Sequence, residues 1–321
     1  MSKDTVLSVK GLHIAFGGER SFTAVNNISF EIAKGKTLAI VGESGSGKSL
    51  TALSLMGLLP KTANVKGDFG LQSGNEQYPL SSFTGNREWQ EVRGAEAGMV
   101  FQEPMSSLNP VMRIGKQLAE CILTHQKIGK EEAKELAISW LRQVQLPEPG
   151  KMYSRYPHQL SGGQKQRVMI AMAMCNHPVL LIADEPTTAL DVTVQQEVIR
   201  LMQYLQEQHN TALIFITHDL ALAATIADEV LVMYKGEMVE YGAAEDVLKA
   251  PKHPYTQALV ACKPSPSHKG YKLPIVADFL EADKGKVVPE MPAVVSTATG
   301  DHILEVKDLK VWFPEGKNWL G

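Results

Sequence analysis

The chain has 321 residues, room for roughly two domains of about 150 residues, and its 44% hydrophobic and 21% charged residues describe a folded protein with a sizeable core, not a disordered one. Lys plus Arg number 32 against 35 for Asp plus Glu, and the resulting charge of −3 lacks the basic footprint of a nucleic-acid binder. Cys121, Cys175 and Cys262 are odd in number and far apart, which excludes a disulfide framework and a closely spaced metal cluster and fits a reducing compartment.

In chain order, MSKDTVLSVKG carries Asp4 and no unbroken apolar stretch, so it does not read as a secretory signal. TVLSVKGLHIAF (5–16) alternates and is rich in β-branched residues, and with NISFEI (27–32) it predicts a strand pair. TLAIV (37–41) is a short continuous apolar run ending in a Gly-rich turn, the pattern of a buried parallel strand. A helical run follows at 50–59, and 61–98, richer in Gly, Ser, Asn and Gln, reads as short strands and loops. Ala133, Leu136, Ala137, Trp140, Leu141 and Val144 then fall on one helical face, and with Ile114, Leu118, Cys121 and Ile122 they predict a helical insert over about 105–165, with Trp140 and Cys121 as packing residues. VLLIA (179–183) and ALIFI (212–216) are two more buried strands, separated by a helix carrying Val194, Val198, Leu201, Met202 and Leu205; alternating strand and helix argues for a parallel α/β sheet. The apolar run 168–175 is far shorter than the roughly 18 residues that cross a bilayer, so a membrane span is expected only from another chain.

Residues 264–302 hold five of the 17 prolines, and 263–302 is expected to be a linker. Beyond it, ILEVKDLKVWF (303–313) laid over VLSVKGLHIAF (6–16) repeats Leu, Val, Lys, Leu and Phe in register. The expected organisation is therefore one domain over 1–262, the linker, and the first strand of a second, truncated domain over 303–321.

Three motifs carry chemistry. GESGSGKS (42–49) fits G-x-x-x-x-G-K-[ST] between a predicted strand and a predicted helix. Gly42, Gly45 and Gly47 let backbone N–H groups approach a phosphate, the helix directs its positive end there, Lys48 would reach the β and γ phosphates, and Ser49 would ligate Mg²⁺. The motif alone does not separate kinases, GTPases, helicases and transport ATPases. Asp184 and Glu185 follow VLLIA at the carboxyl end of a buried strand, where open α/β sheets bind ligands. Asp184 would hold Mg²⁺ through water, and Glu185 is a candidate general base. LSGGQ (160–164) sits just before a helix with apolar face Val168, Ala171, Met172 and Cys175, which makes a second anion site suited to another domain's γ phosphate.

With these residues in place, the chain over about 5–262 resembles the ATP-binding subunit of an ABC transporter. The motifs stand in family order: Walker A at 42–49, the Q-loop Gln102, the signature 160–164, Walker B with Asp184 and Glu185, a D-loop around Ala189, Leu190 and Asp191, and the switch His218. The resemblance implies a P-loop NTPase of ABC type: a mostly parallel core sheet, an N-terminal antiparallel β subdomain and a helical insert subdomain. It implies ATP contacts from Phe16, Gly42, Ser44, Gly45, Ser46, Gly47, Lys48, Ser49 and Leu50, and from Ser161, Gly162, Gly163 and Gln164 of the signature. Mg²⁺ contacts come from Ser49, Gln102 and Asp184, and catalytic roles fall to Glu185, His218 and Gln102. FQEPMSSLNP (101–110) and HPYTQAL (253–259) resemble the dipeptide, oligopeptide, nickel and glutathione group of importers. Only Cys262 follows the HPYT stretch, so the iron–sulfur cluster of some relatives is not expected.

The implied partners are a second ATPase domain joined head to tail, in the same chain or another, two transmembrane permease subunits and, indirectly, a solute-binding protein, at the cytoplasmic face of the inner membrane, with no nucleic acid. Two other readings are a soluble tandem ABC protein of translation or DNA repair, and an exporter. The segment 264–302, mixed in charge and Pro-rich, lacks the basic helices or zinc-binding cysteines of the first; a neighbouring gene for a solute-binding protein discriminates against the second.

Overall fold

The computed structural model describes residues 4–17, 22–102, 107–188, 190–262, 279 and 306–310. Two sheets organise it. The N-terminal sheet is antiparallel, in the order β2–β1–β4–β5: β1 (Thr5–Phe16) pairs with β2 (Phe22–Ala33) and with β4 (Ala63–Ser73), which pairs with β5 (Glu76–Tyr78). The strand pair expected at the start is present, whereas 61–98, expected as short strands and loops, contains the 11-residue β4 and a helix α2 (Asn86–Val92).

The second sheet has the order β10–β9–β3–β8–β7–β6, formed by β3 (Thr37–Val41), β6 (Ala97–Val100), β7 (Leu180–Asp184), β8 (Ala212–Thr217), β9 (Glu229–Tyr234) and β10 (Glu237–Ala243). The strands from β9 to β6 are parallel, and β10 joins the edge antiparallel. Every residue of β3, β7 and β8 is buried, which explains their unbroken apolar sequences. The two-residue period of the strand still sorts side chains between faces. Leu181, Ala183, Leu213 and Phe215 enter a core shared with the helices, while Leu180, Ile182, Ile214 and Ile216 enter one shared with the antiparallel sheet.

The helical insert contains α3 (Ile114–His125), α4 (Lys130–Gln143) and α5 (Pro149–Tyr153). Its apolar face is the one the periodicity selected: Ala133, Ala137, Trp140, Leu141 and Val144 are buried, and Cys121 packs against the same core. Helix α6 (Gly162–Met174) joins the insert to the sheet, and α7 (Val192–His209) carries the expected Val198, Leu201, Met202 and Leu205 inward. The first helix, α1, runs Lys48–Leu55, not 50–59, because it starts inside the glycine turn and closes at Met56. After β8 come α8 (Leu220–Ile226), α9 (Ala244–Lys249) and α10 (Pro254–Ala261). The expected linker at 263–302 lies outside the described residues apart from residue 279. Of the expected strand at 303–313 only 306–310 is described, and these five residues are exposed and form no strand.

Candidate functional site

The carboxyl ends of β3, β6, β7 and β8 lie side by side in the parallel sheet, so the loops leaving them converge although they are distant in sequence. A pocket of about 160 Å³ opens there, lined by Ser44, Gly45, Gly47, Lys48, Ser49, Leu50, Gln102 and Glu185. Gly42 and Gly47 are dictated by the backbone. Gly42 has φ 149 and a Cβ there would stand 2.2 Å from the carbonyl oxygen of Met233; Gly47, with φ 101, would bring a Cβ within 2.9 Å of the Ala24 carbonyl. Gly45 has φ 81 and open space around it, which leaves that side of the turn free for a ligand. The loop then enters α1, whose first three residues, Lys48, Ser49 and Leu50, line the pocket.

Lys48 is buried and donates from Nζ to the carbonyl oxygens of Gly42 and Glu43, both at 2.8 Å. Burial lowers its pKa, and the carboxylates of Glu185 and Asp184 oppose that shift. Ser49 Oγ donates to Asp184 Oδ1 at 3.0 Å. Burial raises the Asp184 pKa, and the Ser49 hydrogen bond pulls it back. A hydroxyl and a carboxylate placed together, with the Gln102 amide in the same wall, form an oxygen-rich donor set that fits Mg²⁺. Ser46 is buried and its hydroxyl has no hydrogen-bond partner among the described residues.

Glu185, directly after β7, has φ 44, a left-handed conformation uncommon for a residue with a side chain. Its N–H donates to Ile216 O at 3.0 Å, and three side chains surround its carboxylate. Gln102 Nε2 donates to Oε2 at 3.3 Å, Thr188 Oγ1 donates to Oε2 at 2.9 Å, and His218 Nδ1 lies 3.4 Å from Oε1. Glu185 also lines a second, polar pocket of about 270 Å³ with Thr187, Thr188, Gln195, Thr217 and His218. The sequence reading therefore placed Gln102, Lys48, Ser49, Asp184, Glu185 and His218 in one neighbourhood, and the fold puts them there.

The remaining expected residues lie elsewhere. Phe16 is half-buried at the end of β1, packed on the core, and does not line the P-loop pocket. No residue of 160–164 lines it either. The signature does not precede its helix, as expected, but opens it. Ser161 is the N-cap of α6 and accepts from the Gln164 N–H at 3.3 Å, while Gln164 Oε1 accepts from the Ser161 N–H at 3.1 Å. Gly163 lies so close to α7 that a Cβ would sit 2.5 Å from Val194 Cγ1. Ala189 of the expected D-loop is outside the described residues; Asp191 caps α7 by accepting from the Val194 N–H at 3.0 Å. Two contributors escaped the sequence reading. Thr188 had no motif to mark it, and Tyr255, quoted only as part of a family marker, has its hydroxyl on the backbone of the P-loop.

A P-loop at the switch point of a parallel sheet, a carboxylate pair at the end of β7, one strand beyond the neighbouring β8, and a helix-capping LSGGQ define an ATP-binding cassette. The chain belongs to the ABC transporter family: residues 25–188 match that family, and residues 239–286 match the oligopeptide/dipeptide transporter C-terminal region. It is 49% identical over 313 residues to the glutathione import ATP-binding protein GsiA of Salmonella typhimurium (strain LT2), and 48% identical over 318 residues to GsiA of Escherichia coli (strain K12); each alignment covers 96% of this chain and 50% of the relative. The chain thus spans about half the length of these relatives. Among solved structures it resembles a dimeric ATP-binding cassette in a post-hydrolysis state bound to ADP and Pi, with a TM-score of 0.64 and 26% identity, covering 74% of this chain and 98% of that one. It also resembles cbiO1 of Clostridium perfringens, part of the cbiONQ transporter complex, with a TM-score of 0.64 and 26% identity over 77% of this chain and 92% of that one.

Proposed function

We propose that this chain is an ATP-hydrolysing subunit that powers import of a peptide-like solute, such as a dipeptide, an oligopeptide or a glutathione-like molecule, through partner transmembrane subunits. The observation that carries the reading is the convergence of Lys48, Ser49, Asp184, Glu185, Gln102 and His218 at adjacent strand ends. The 49% identity to GsiA and the match to the oligopeptide/dipeptide region support the solute class.

In this reading the loop's N–H groups and Lys48 hold the β and γ phosphates, and Lys48 leaves its two carbonyl partners to do so. Ser49 and Asp184, with Gln102, would hold Mg²⁺, which supplies positive charge against the phosphates when bound. Glu185 takes a proton from the attacking water as the bond to the leaving ADP breaks, and Gln102, Thr188 and His218 orient its carboxylate. Catalysis is mostly positioning and electrostatics.

The second half of each site is the LSGGQ of another cassette, joined head to tail in the same longer chain or in a second one. An apolar groove of about 320 Å³ beside Gln102, lined by Met56, Leu58, Met99, Phe101, Met169 and Met172 among others, supports docking of a short helix from a transmembrane partner. Among the described residues no helix is long and apolar enough to cross a membrane, so the reading makes the chain peripheral to the cytoplasmic face of the membrane.

Glu185→Gln tests the assignment. ATP titration should give an unchanged affinity, while phosphate release falls by about 10²- to 10⁴-fold; turnover at the wild-type rate would contradict the general-base role.

A further inference from the structure

The HPYT segment is built with more care than a surface turn requires. Glu240 of β10 accepts two backbone N–H groups ahead of it, Lys252 at 2.9 Å and His253 at 3.1 Å. His253 Nδ1 accepts from the Tyr255 N–H at 3.1 Å and so caps α10, with Pro254 at its first position, where the missing N–H costs nothing. Gln257 Nε2 returns to the Pro251 carbonyl at 3.0 Å. These contacts fix the point at which the Tyr255 side chain enters the protein. The ring is fully buried and packs on Tyr234 with centroids 4.2 Å apart, and the hydroxyl accepts from the N–H of Glu43 at 3.0 Å.

Glu43 is the second residue of the P-loop, and its peptide groups are held from two sides. Tyr255 takes the N–H, and Lys48 Nζ donates to the carbonyl at 2.8 Å. The same loop is backed by the turn after β9, where the Gly236 N–H donates to Ser46 O at 3.1 Å. A phosphate that draws Lys48 away from the Glu43 carbonyl leaves Tyr255 as the side chain that still fixes this corner of the loop. Burial pushes the Tyr255 phenol up to about 12, so it stays neutral beside a phosphate.

We propose that Tyr255 is a positioning residue for the phosphate-binding loop, through which the C-terminal segment 239–262 sets the loop's grip on a nucleotide. The proposal rests on the nucleotide-binding reading above. Because the brace matters most after Lys48 has moved, its loss acts on nucleotide affinity more than on the stability of the free chain.

The test uses the full chain with Tyr255→Phe, which removes one oxygen atom, and Tyr234→Phe, which keeps the ring stack and removes a hydroxyl with no hydrogen bond to the loop. Mg-ATP and Mg-ADP are titrated against each, and amide exchange is followed over the peptide containing Glu43. Tyr255→Phe should weaken both nucleotides by about fivefold to tenfold, the size of one lost hydrogen bond. It should also speed exchange at Glu43 in the nucleotide-bound chain, with Tyr234→Phe unchanged in both respects. Wild-type affinity in Tyr255→Phe, whatever the exchange shows, or equal weakening in Tyr234→Phe, overturns the proposal. Should Tyr255→Phe not fold, Glu240→Ala loosens the turn while leaving the tyrosine and the loop intact, and it should lower affinity in the same direction; unchanged affinity there overturns the proposal too. A wild-type chain that binds neither nucleotide would sink the nucleotide reading itself, together with the brace.

Discussion

Lys48 and Glu185 show how single residues store the readiness of the site. The Lys48 ammonium is satisfied by two carbonyls of its own loop, a buried arrangement that a ligand must exchange for something better. In the proposed reading a nucleotide's phosphates supply it, because an anionic oxygen adds the attraction of an opposite full charge that a neutral carbonyl lacks. Lys48→Ala should therefore lower ATP affinity by about 10- to 100-fold in a calorimetric titration, the loss expected for one or two bonds to a charged group; unchanged affinity would contradict the P-loop reading. Glu185 holds its left-handed backbone because the Ile216 carbonyl and three side-chain partners over-determine it. Gln102 and His218 were legible only through the family order of motifs and Thr188 not at all; Gln102 is 83 residues away and owes its position to β6 pairing with β7.

At the scale of elements, the seam between the helical insert and the sheet is where pH should act. His177 and His209 face each other with Nδ1 atoms 3.1 Å apart, and both rings lie 5.4 Å from Trp140 of the insert. His125, at the end of α3, sits against Gly94. Desolvation lowers the pKa of all three below the ordinary 6.5, and the His177 charge lowers His209 further. Protonating His209 would also bury a donor, because its Nε2 has no partner among the described residues. The unfolded chain therefore binds protons that the folded chain refuses, so stability is full above the unfolded pKa and declines as pH falls below it. Thermal melts should show Tm falling between about pH 7.5 and pH 5.5, with a shallower fall in His177→Asn and His209→Asn. Equal slopes in wild type and variants would remove the histidine pair as the cause.

For the whole molecule, the placement of LSGGQ matters most. It opens α6 with Ser161 and Gly162 exposed, and none of its residues lines the P-loop pocket of its own chain. In the proposed head-to-tail arrangement two such half-sites complete each other between cassettes. Phosphate release should rise more steeply than linearly with chain concentration, and Ser161→Arg should abolish it while leaving ATP affinity intact, as read by phosphate assay and titration of the same preparation. Hydrolysis by Ser161→Arg at the wild-type rate would mean that the signature is not offered to a partner.

The sequence by itself determined the buried strands, the P-loop, the carboxylate pair and the signature. Strands such as TLAIV and ALIFI are apolar on both faces wherever they lie in a parallel sheet, and glycine turns that cradle phosphate tolerate few other residues. Strand β9, the edge strand β10 and the helices after them were not foreseen; β10 is half-exposed and its short pattern carries no strong period. Only the tertiary structure decided which strand ends adjoin. Local pattern fixes whether a segment is a strand, whereas strand order depends on packing across the whole domain. That order brings His218 to Glu185, and it carries Tyr255 across 212 residues of chain to the backbone of Glu43.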